Sequence, residues 1–371
     1  MILEGIILSC LSKLQTERSI SAVYHIVTGK KSIQTVQDIH LYHLQAYFSV
    51  CQHLPKSQFD QMITALTEQE MIKEIHHDEQ VYMLTKHGSL WLHKNEPGLY
   101  LTWFHGLQYS SIARLFSDRL HLIIQTATNA KMSYFQFIPV VENPQVEHWV
   151  KQQYQKIKSS LDLFLSNLYQ ELFKLLCDFP DKLAKLFVER LTSFKDYGKS
   201  IYQLAGDYQM SAIDVQLMLT AIIHHMIQRI KANRDHFPIL TKVIEDMVTS
   251  QITASAQTTD QLLKVGYSIE EIAEKRRLKV NTIYDHVVEI ALYEEAFPID
   301  RYVSDEDYHL VTEAFKIVRS YKLKLIKELV PSHISYFQIR LVLAVEQKLE
   351  ALKLDDEAIF LKKLSTMQKR M

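Results

Sequence analysis

The sequence predicts a mainly α-helical, multi-domain protein. Three observations carry this. Glycine and proline are scarce, at 8 each in 371 residues, and scarcity of turn formers favours helices over turn-rich β architecture. Apolar residues recur at steps of three and four over long stretches, the spacing that gathers them on one helical face. Several helix starts are marked by serine followed three residues later by Glu, Gln or Asp, the pattern of a capping box.

The elements follow in order. Ile2, Ile6, Leu8, Leu11 and Leu14 predict an amphipathic first helix over residues 2–15. A second helix is expected around Ile39–Cys51, ended by Pro55. In "KSQFDQMITALTEQEMI", Phe59, Ile63 and Leu66 share a helical face, and two short β-prone runs flank His77–Glu79. Helices followed by a small hairpin form a winged-helix-like pattern, so residues 1–95 read as one such domain.

Residues 96–250 read as a helical middle domain. It opens with many aromatics, among them Tyr100, Trp103, Phe104, Tyr109, Phe116, Tyr134, Phe135 and Phe137, expected to pack as core. From Trp149, the series Ile157, Leu161, Phe164, Leu168, Leu172 and Leu175 predicts one long helix ending near Asp178, with Pro180 starting the next. The polar stretch "TSQITASAQTTD", residues 249–260, reads as a linker. Beyond it, residues 251–371 are expected to be all helical, with helix starts at Ser268, Ser304 and Ser335 and the acidic run Asp305–Asp307 suiting a helix amino terminus.

Within that domain, "YSIEEIAEKRRLKVNTIYDHV" (267–287) has the layout of a helix-turn-helix. Shifted by 68 residues it lies on "SIYQLAGDYQMSAIDVQLM", pairing Ser200 with Ser268, Leu204 with Ile272, Ala205 with Ala273, Met210 with Leu278 and Val215 with Ile283. Alanine belongs where two helices cross most closely. The larger apolar residues close the turn and plug the second helix into the first. A second helix-turn-helix is therefore expected at 199–230. In place of the glycine frequent in such turns stand Arg277 and Gln209.

Residues 258 to about 345 resemble the helicase-associated helix-turn-helix domain at the carboxy termini of RecQ-type DNA helicases, through "LLKVGYSIEEIAEKRRLKVNTIYDHVVEIA", "PIDRYVSDEDY" and "ISYFQIRLVLA". By length, helical character and domain order the full chain resembles the YpbB family of Gram-positive bacteria, free-standing proteins whose genes accompany a RecQ-like helicase. The resemblance implies an accessory role with such a helicase in DNA repair or recombination. It supplies no catalytic residues.

The candidate contact residues cluster at the turn: Lys275, Arg276, Arg277 and Lys279, followed by Asn281, Thr282, Tyr284 and His286. The cations have the chemistry to hold phosphates, and Asn281, Thr282 and Tyr284 that to meet a base. The competing reading is a solvated turn in which Arg276 or Arg277 pairs with Glu271 or Glu274. The charge balance tempers the first: from residue 260 onward, 18 Lys and Arg face 19 Asp and Glu, and the net charge is −1. Each second helix also carries acid: Asp60 and Glu68, Asp214, Asp285 and Glu289. Docking of a helicase with weak, sequence-independent DNA contact is thus expected. The alternative is a sequence-specific transcriptional regulator, which needs a basic reading helix.

Enzymatic and cofactor chemistry has little footing. "GKKS" at Gly29–Ser32 fails as a phosphate loop, because Lys31 follows the lysine and Tyr24 stands where the first glycine belongs. His40, His43, His53, His76, His77, His224, His225 and Cys51 lack the paired spacing of a zinc site. No nucleophile elbow or glycine-rich dinucleotide turn is present. No cofactor or metal is expected. Three widely spaced cysteines, Cys10, Cys51 and Cys177, fit a reducing compartment. The opening "MILEGIILSC" lacks a basic leader and is interrupted by Glu4, so the expected location is the cytoplasm. The basic tail with Lys362, Lys363, Lys369 and Arg370 reads as a solvated terminus.

Overall fold

The computed structural model describes residues 1–247, 252–294 and 296–349. It is mainly helical with a single two-stranded sheet among those residues. The amino-terminal unit comprises α1 (Ile2–Leu14), α2 (Ile20–Thr28), α3 (Ile33–Leu41), a 3-10 turn (Gln45–Tyr47), α4 (Lys56–Glu68), β1 (Ile72–His76), β2 (Val81–Leu84) and α5 (Lys86–Leu99). The hairpin pairs Ile72 with Leu84 and Glu74 with Tyr82, then shifts register before His76 meets Val81. The helix expected at Ile39–Cys51 lies earlier. The Ser32 side chain accepts from the Thr35 amide and starts α3, and His43, at φ 52°, turns the chain out of it. The Gly29–Lys30–Lys31–Ser32 stretch is the link between α2 and α3. Gly29 closes α2 at φ 75°, and a Cβ there would meet the Ser49 side chain at 2.4 Å.

The middle segment holds a 3-10 turn (Leu101–Trp103), α6 (Gly106–Lys131), α7 (Pro144–Ile157), α8 (Leu161–Leu176), α9 (Asp181–Val188), α10 (Ile201–Tyr208), α11 (Ala212–Ala232), a 3-10 turn (Arg234–His236) and α12 (Pro238–Ile244). The long helix expected from Trp149 is broken at 158–160. Both halves keep the apolar period, so periodicity does not reveal the break. Ser160 leaves helical geometry at φ −141°, ψ 36°, and the exposed Lys158–Ser159–Ser160 lets the chain bend where nothing needs burying. The aromatics also divide. Phe104, Tyr109 and Phe116 are buried and Trp103 stacks on His225 at 4.5 Å, whereas Phe135 is 64% exposed on the connection between α6 and α7.

The carboxy-terminal unit comprises α13 (Ala254–Val265), α14 (Ile269–Arg276), α15 (Val280–Tyr293), a 3-10 turn (Ile299–Arg301), α16 (Asp305–Val318), α17 (Leu323–Leu329) and α18 (residues 336–349). Residues 254–260 of the supposed linker are the first half of α13. Thr253 caps it by accepting from the Ala256 amide, and Ala256 and Thr259 are fully buried. Small residues there mark a close helix contact with α15. Residues 249–251 of the same stretch lie outside the described residues. Two of the three serine boxes are complete: Ser268 with Glu271, and Ser335 with Gln338. At Ser304 only half forms, because the Asp307 carboxylate is taken by His333 Nε2 at 2.8 Å.

One continuous cluster of buried apolar side chains runs from Ile2 to Ala344, through all three segments distinguished in the sequence. A smaller one joins Leu122 and Ile123 of α6 to Val146 and Val150 of α7. The amino- and carboxy-terminal units meet where α3 lies against α15, along a polar seam. Arg340 of α18 bonds both Gln37 Oε1 at 2.9 Å and Asp285 Oδ1 at 2.7 Å. Glu17 accepts from the Tyr321 amide at 2.8 Å, and His40 sits edge-on to Tyr293 at 4.9 Å. No single helix among the described residues is long and apolar enough to cross a membrane.

Candidate functional site

The two helix-turn-helix units repeat each other closely. Ser268 and Ser200 both start their first helices with complete capping boxes, to Glu271 and Gln203. The turn residues Arg277 and Gln209 take left-handed conformations, at φ 55°, ψ 42° and φ 53°, ψ 45°. That is the geometry glycine would supply without strain. The next amides close both turns alike: Leu278 donates to Ala273 O at 2.9 Å and Met210 to Ala205 O at 3.0 Å. Ile283 and Val215 are fully buried plugs, and Ala273 is buried at the crossing. The Ser200–Gln203 box was legible as S-x-x-Q in the sequence and is the signal that reading missed. Ala273→Leu is expected to lower stability by roughly 1–3 kcal/mol by forcing α14 from α15. An unchanged denaturant midpoint would refute the crossing.

The eight candidate contact residues separate into two groups. Lys275, Arg277, Lys279 and Asn281 are exposed. Lys275 covers the Tyr267 ring at 4.6 Å. The other four are engaged in the fold. Arg276 pairs with neither Glu271 nor Glu274. Its guanidinium spans to α13, donating to Ser255 O at 2.8 Å, to Ser255 Oγ at 2.9 Å, and to Thr259 Oγ1. His286 is buried with Nδ1 2.8 Å from the same Thr259 hydroxyl. Burial, and then the Arg276 charge, hold its pKa below the usual histidine value. Tyr284 stacks on Phe337 at 4.2 Å, and Thr282 is half-buried. The tail cations Lys362, Lys363, Lys369 and Arg370 lie outside the described residues.

The acids of α11 and α15 have internal work, whereas Asp60 and Glu68 of α4 are exposed. Asp285 pairs with Arg340. Glu289, 5% exposed, accepts from the Thr253 amide at 2.6 Å and its hydroxyl at 3.0 Å. Burial pushes the Glu289 carboxyl up from its ordinary pKa, against the Thr253 hydrogen bonds. Asp214 Oδ1 accepts from the amides of Ile2 and Leu3 at 2.8 and 3.1 Å, capping α1. Glu171 does the same for α12 through Ile239 and Leu240. These are carboxylates satisfying helix starts from a distance, where orphan amides and the helix dipole favour negative charge.

The accessibility of the three second helices differs sharply. Along α15 only Asn281 is exposed, and between Ala212 and Ile223 of α11 only Gln216 is. A groove-reading helix must present a whole face to DNA, and these two present theirs to the protein core. On α4, by contrast, Ser57, Gln58, Gln61 and Thr64 are all exposed. Among the described residues no group of three or more His, Cys, Asp or Glu side chains is placed to hold a metal ion.

A family model described as a helix-turn-helix domain matches residues 255–343. Protein YpbB of Bacillus subtilis (strain 168) is 33% identical to this chain over 339 residues, which make up 91% of the chain and 95% of the relative. No solved structure matches it.

Proposed function

The chain belongs to the YpbB family, and from that premise we propose that it is a non-enzymatic accessory protein of a RecQ-type DNA helicase. It acts in the cytoplasm by docking the helicase, with weak DNA contact, in DNA repair or recombination. The observation that carries this reading is the burial of α11 and α15, which makes both helix-turn-helix units packing modules. What remains open at the carboxy-terminal unit is a turn of mixed charge: Lys275, Arg277 and Lys279 beside Glu270, Glu271 and Glu274, all exposed. Alternating charge suits a partner surface of complementary pattern better than a uniform polyanion. The link to a RecQ-type helicase is supported by the likeness of residues 258–345 to the domain such helicases carry.

The test is co-purification of the protein with the RecQ-type helicase of the same organism. The triple replacement Lys275→Ala, Arg277→Ala, Lys279→Ala is expected to weaken the complex roughly tenfold, equivalent to about 1.4 kcal/mol. Arg276 is left intact because it ties α14 to α13. Failure of the wild-type protein to retain the helicase would overturn the proposal. Tight binding to one duplex sequence in excess competitor DNA would favour a transcriptional regulator instead.

A further inference from the structure

We propose that DNA backbone is held by the amino-terminal unit, through a basic surface formed by Lys30, Lys31 and Lys56 beside the open face of α4. The inference deepens the DNA-contact part of the function above and rests on that reading.

Charge segregation is the first ground. Between Ile20 and Phe59 the sole carboxylate is Asp38, which is 1% exposed and bound by Arg18 Nε at 2.8 Å and Gln34 Nε2 at 2.9 Å. Lys30, Lys31 and Lys56 of the same stretch are exposed, as are Gln52 and His53. The helix-turn-helix turn differs, since its three exposed cations share their surface with three exposed glutamates.

Convergence in space is the second. Lys30 Nζ lies 3.4 Å from His25 Nε2. Lys56, at the first position of α4, covers the Tyr24 ring at 5.3 Å. The α2–α3 link and the start of α4 therefore meet around Tyr24 and His25. The His25 pKa is held down by partial burial, then by the charges of Lys30 and Lys56, as expected beside two cations. Asp60 offsets part of this through its pair with Lys56. Glu289 of α15 is within electrostatic reach of Lys31, but it is buried and already held by Thr253. The next acids along the chain on either side are Glu17 and Glu68.

The third ground is access. The face of α4 running from Ser57 through Gln58 and Gln61 to Thr64 is exposed and carries neutral hydrogen-bonding groups. It is the one second helix of the three with room for a partner. Lysines gathered at the start of such a face fit the phosphates beside a groove that the face would enter.

The experiment is fluorescence anisotropy of a labelled mixed-sequence duplex titrated with full-length protein over a range of salt. Lys30→Ala, Lys31→Ala, Lys56→Ala together should lower affinity roughly ten- to a hundredfold. They should also flatten the log–log salt slope by about 2–3. Gln61→Glu, at an exposed site that leaves the core untouched, should also lower affinity by placing a like charge on α4. The turn triple at Lys275, Arg277 and Lys279 should leave affinity within about twofold of wild type. Loss of affinity in the turn triple with none in the amino-terminal triple would overturn the inference. So would equal loss in both, or no salt-dependent binding by wild type. The helicase co-purification involves no DNA, so failure of helicase docking and failure of this surface are read separately.

Discussion

Asp214→Ala is expected to destabilise the protein by roughly 3 kcal/mol, the cost of leaving buried amides without an acceptor after removing a charged one. In the structure Asp214 is 6% exposed. Its Oδ1 accepts from the Ile2 and Leu3 amides and its Oδ2 from the amino group of Met1 at 2.7 Å. Asp214→Asn keeps one acceptor oxygen and should lose about half as much. Chemical denaturation of the three proteins measures the difference. The opposite picture, in which Asp214 projects from a reading helix and repels DNA, predicts an unchanged midpoint and tighter DNA binding in Asp214→Ala.

Replacing His40 by Phe should remove a large part of the protein's sensitivity to mild acid. His40 is 8% exposed at the seam between α3 and α15, and its Nε2 has no hydrogen-bond partner. Burial, then repulsion from His43, push its pKa down from 6.5 to about 4. The unfolded chain therefore takes up a proton on this side chain as pH falls through 6.5, while the folded protein does so only near 4. Throughout that window protonation favours the unfolded state, so stability falls with pH by about 1.4 kcal/mol per unit. The whole loss is on the order of 3 kcal/mol and levels off below the folded pKa. Phe keeps the ring against Tyr293 and has nothing to titrate.

Other groups share that range. His224, with its pKa pushed down to about 3, acts in the same direction. The raised carboxyls of Asp38 and Glu289 act in the opposite one, since their folded forms bind protons first. The informative quantity is therefore the difference in slope between wild type and His40→Phe from pH 6.5 to 4. Equal slopes would mean that His40 is solvated and the seam open.

The local structure of this protein was legible in its sequence because local structure rests on near neighbours. S-x-x-E at Ser268 and S-x-x-Q at Ser335 marked helix starts, and the 68-residue repeat matched buried plug to buried plug, Ile283 to Val215. The same reasoning failed where two outcomes share one local pattern. The apolar period continues across Lys158–Ser160, so a break there costs the pattern nothing. Small polar residues at 254–260 suit a linker or a tight helix contact equally, and only the fit of Ala256 and Thr259 under α15 makes them the second.

The candidate site shows the limit most clearly. Sequence alone determined that a helix-turn-helix unit exists, where its turn lies, and that its charges are mixed. Tertiary structure decided which charges remain free. Arg276 is taken by Ser255 and Thr259, Asp285 by Arg340, Asp214 by the start of α1, and Glu289 by the start of α13. A carboxylate's partners across 36, 55 or 212 residues leave no mark in its own neighbourhood. An acid that looks like a repellent face on a helical wheel can thus be the acceptor that a distant helix start requires, because buried amides must find a partner wherever the fold supplies one.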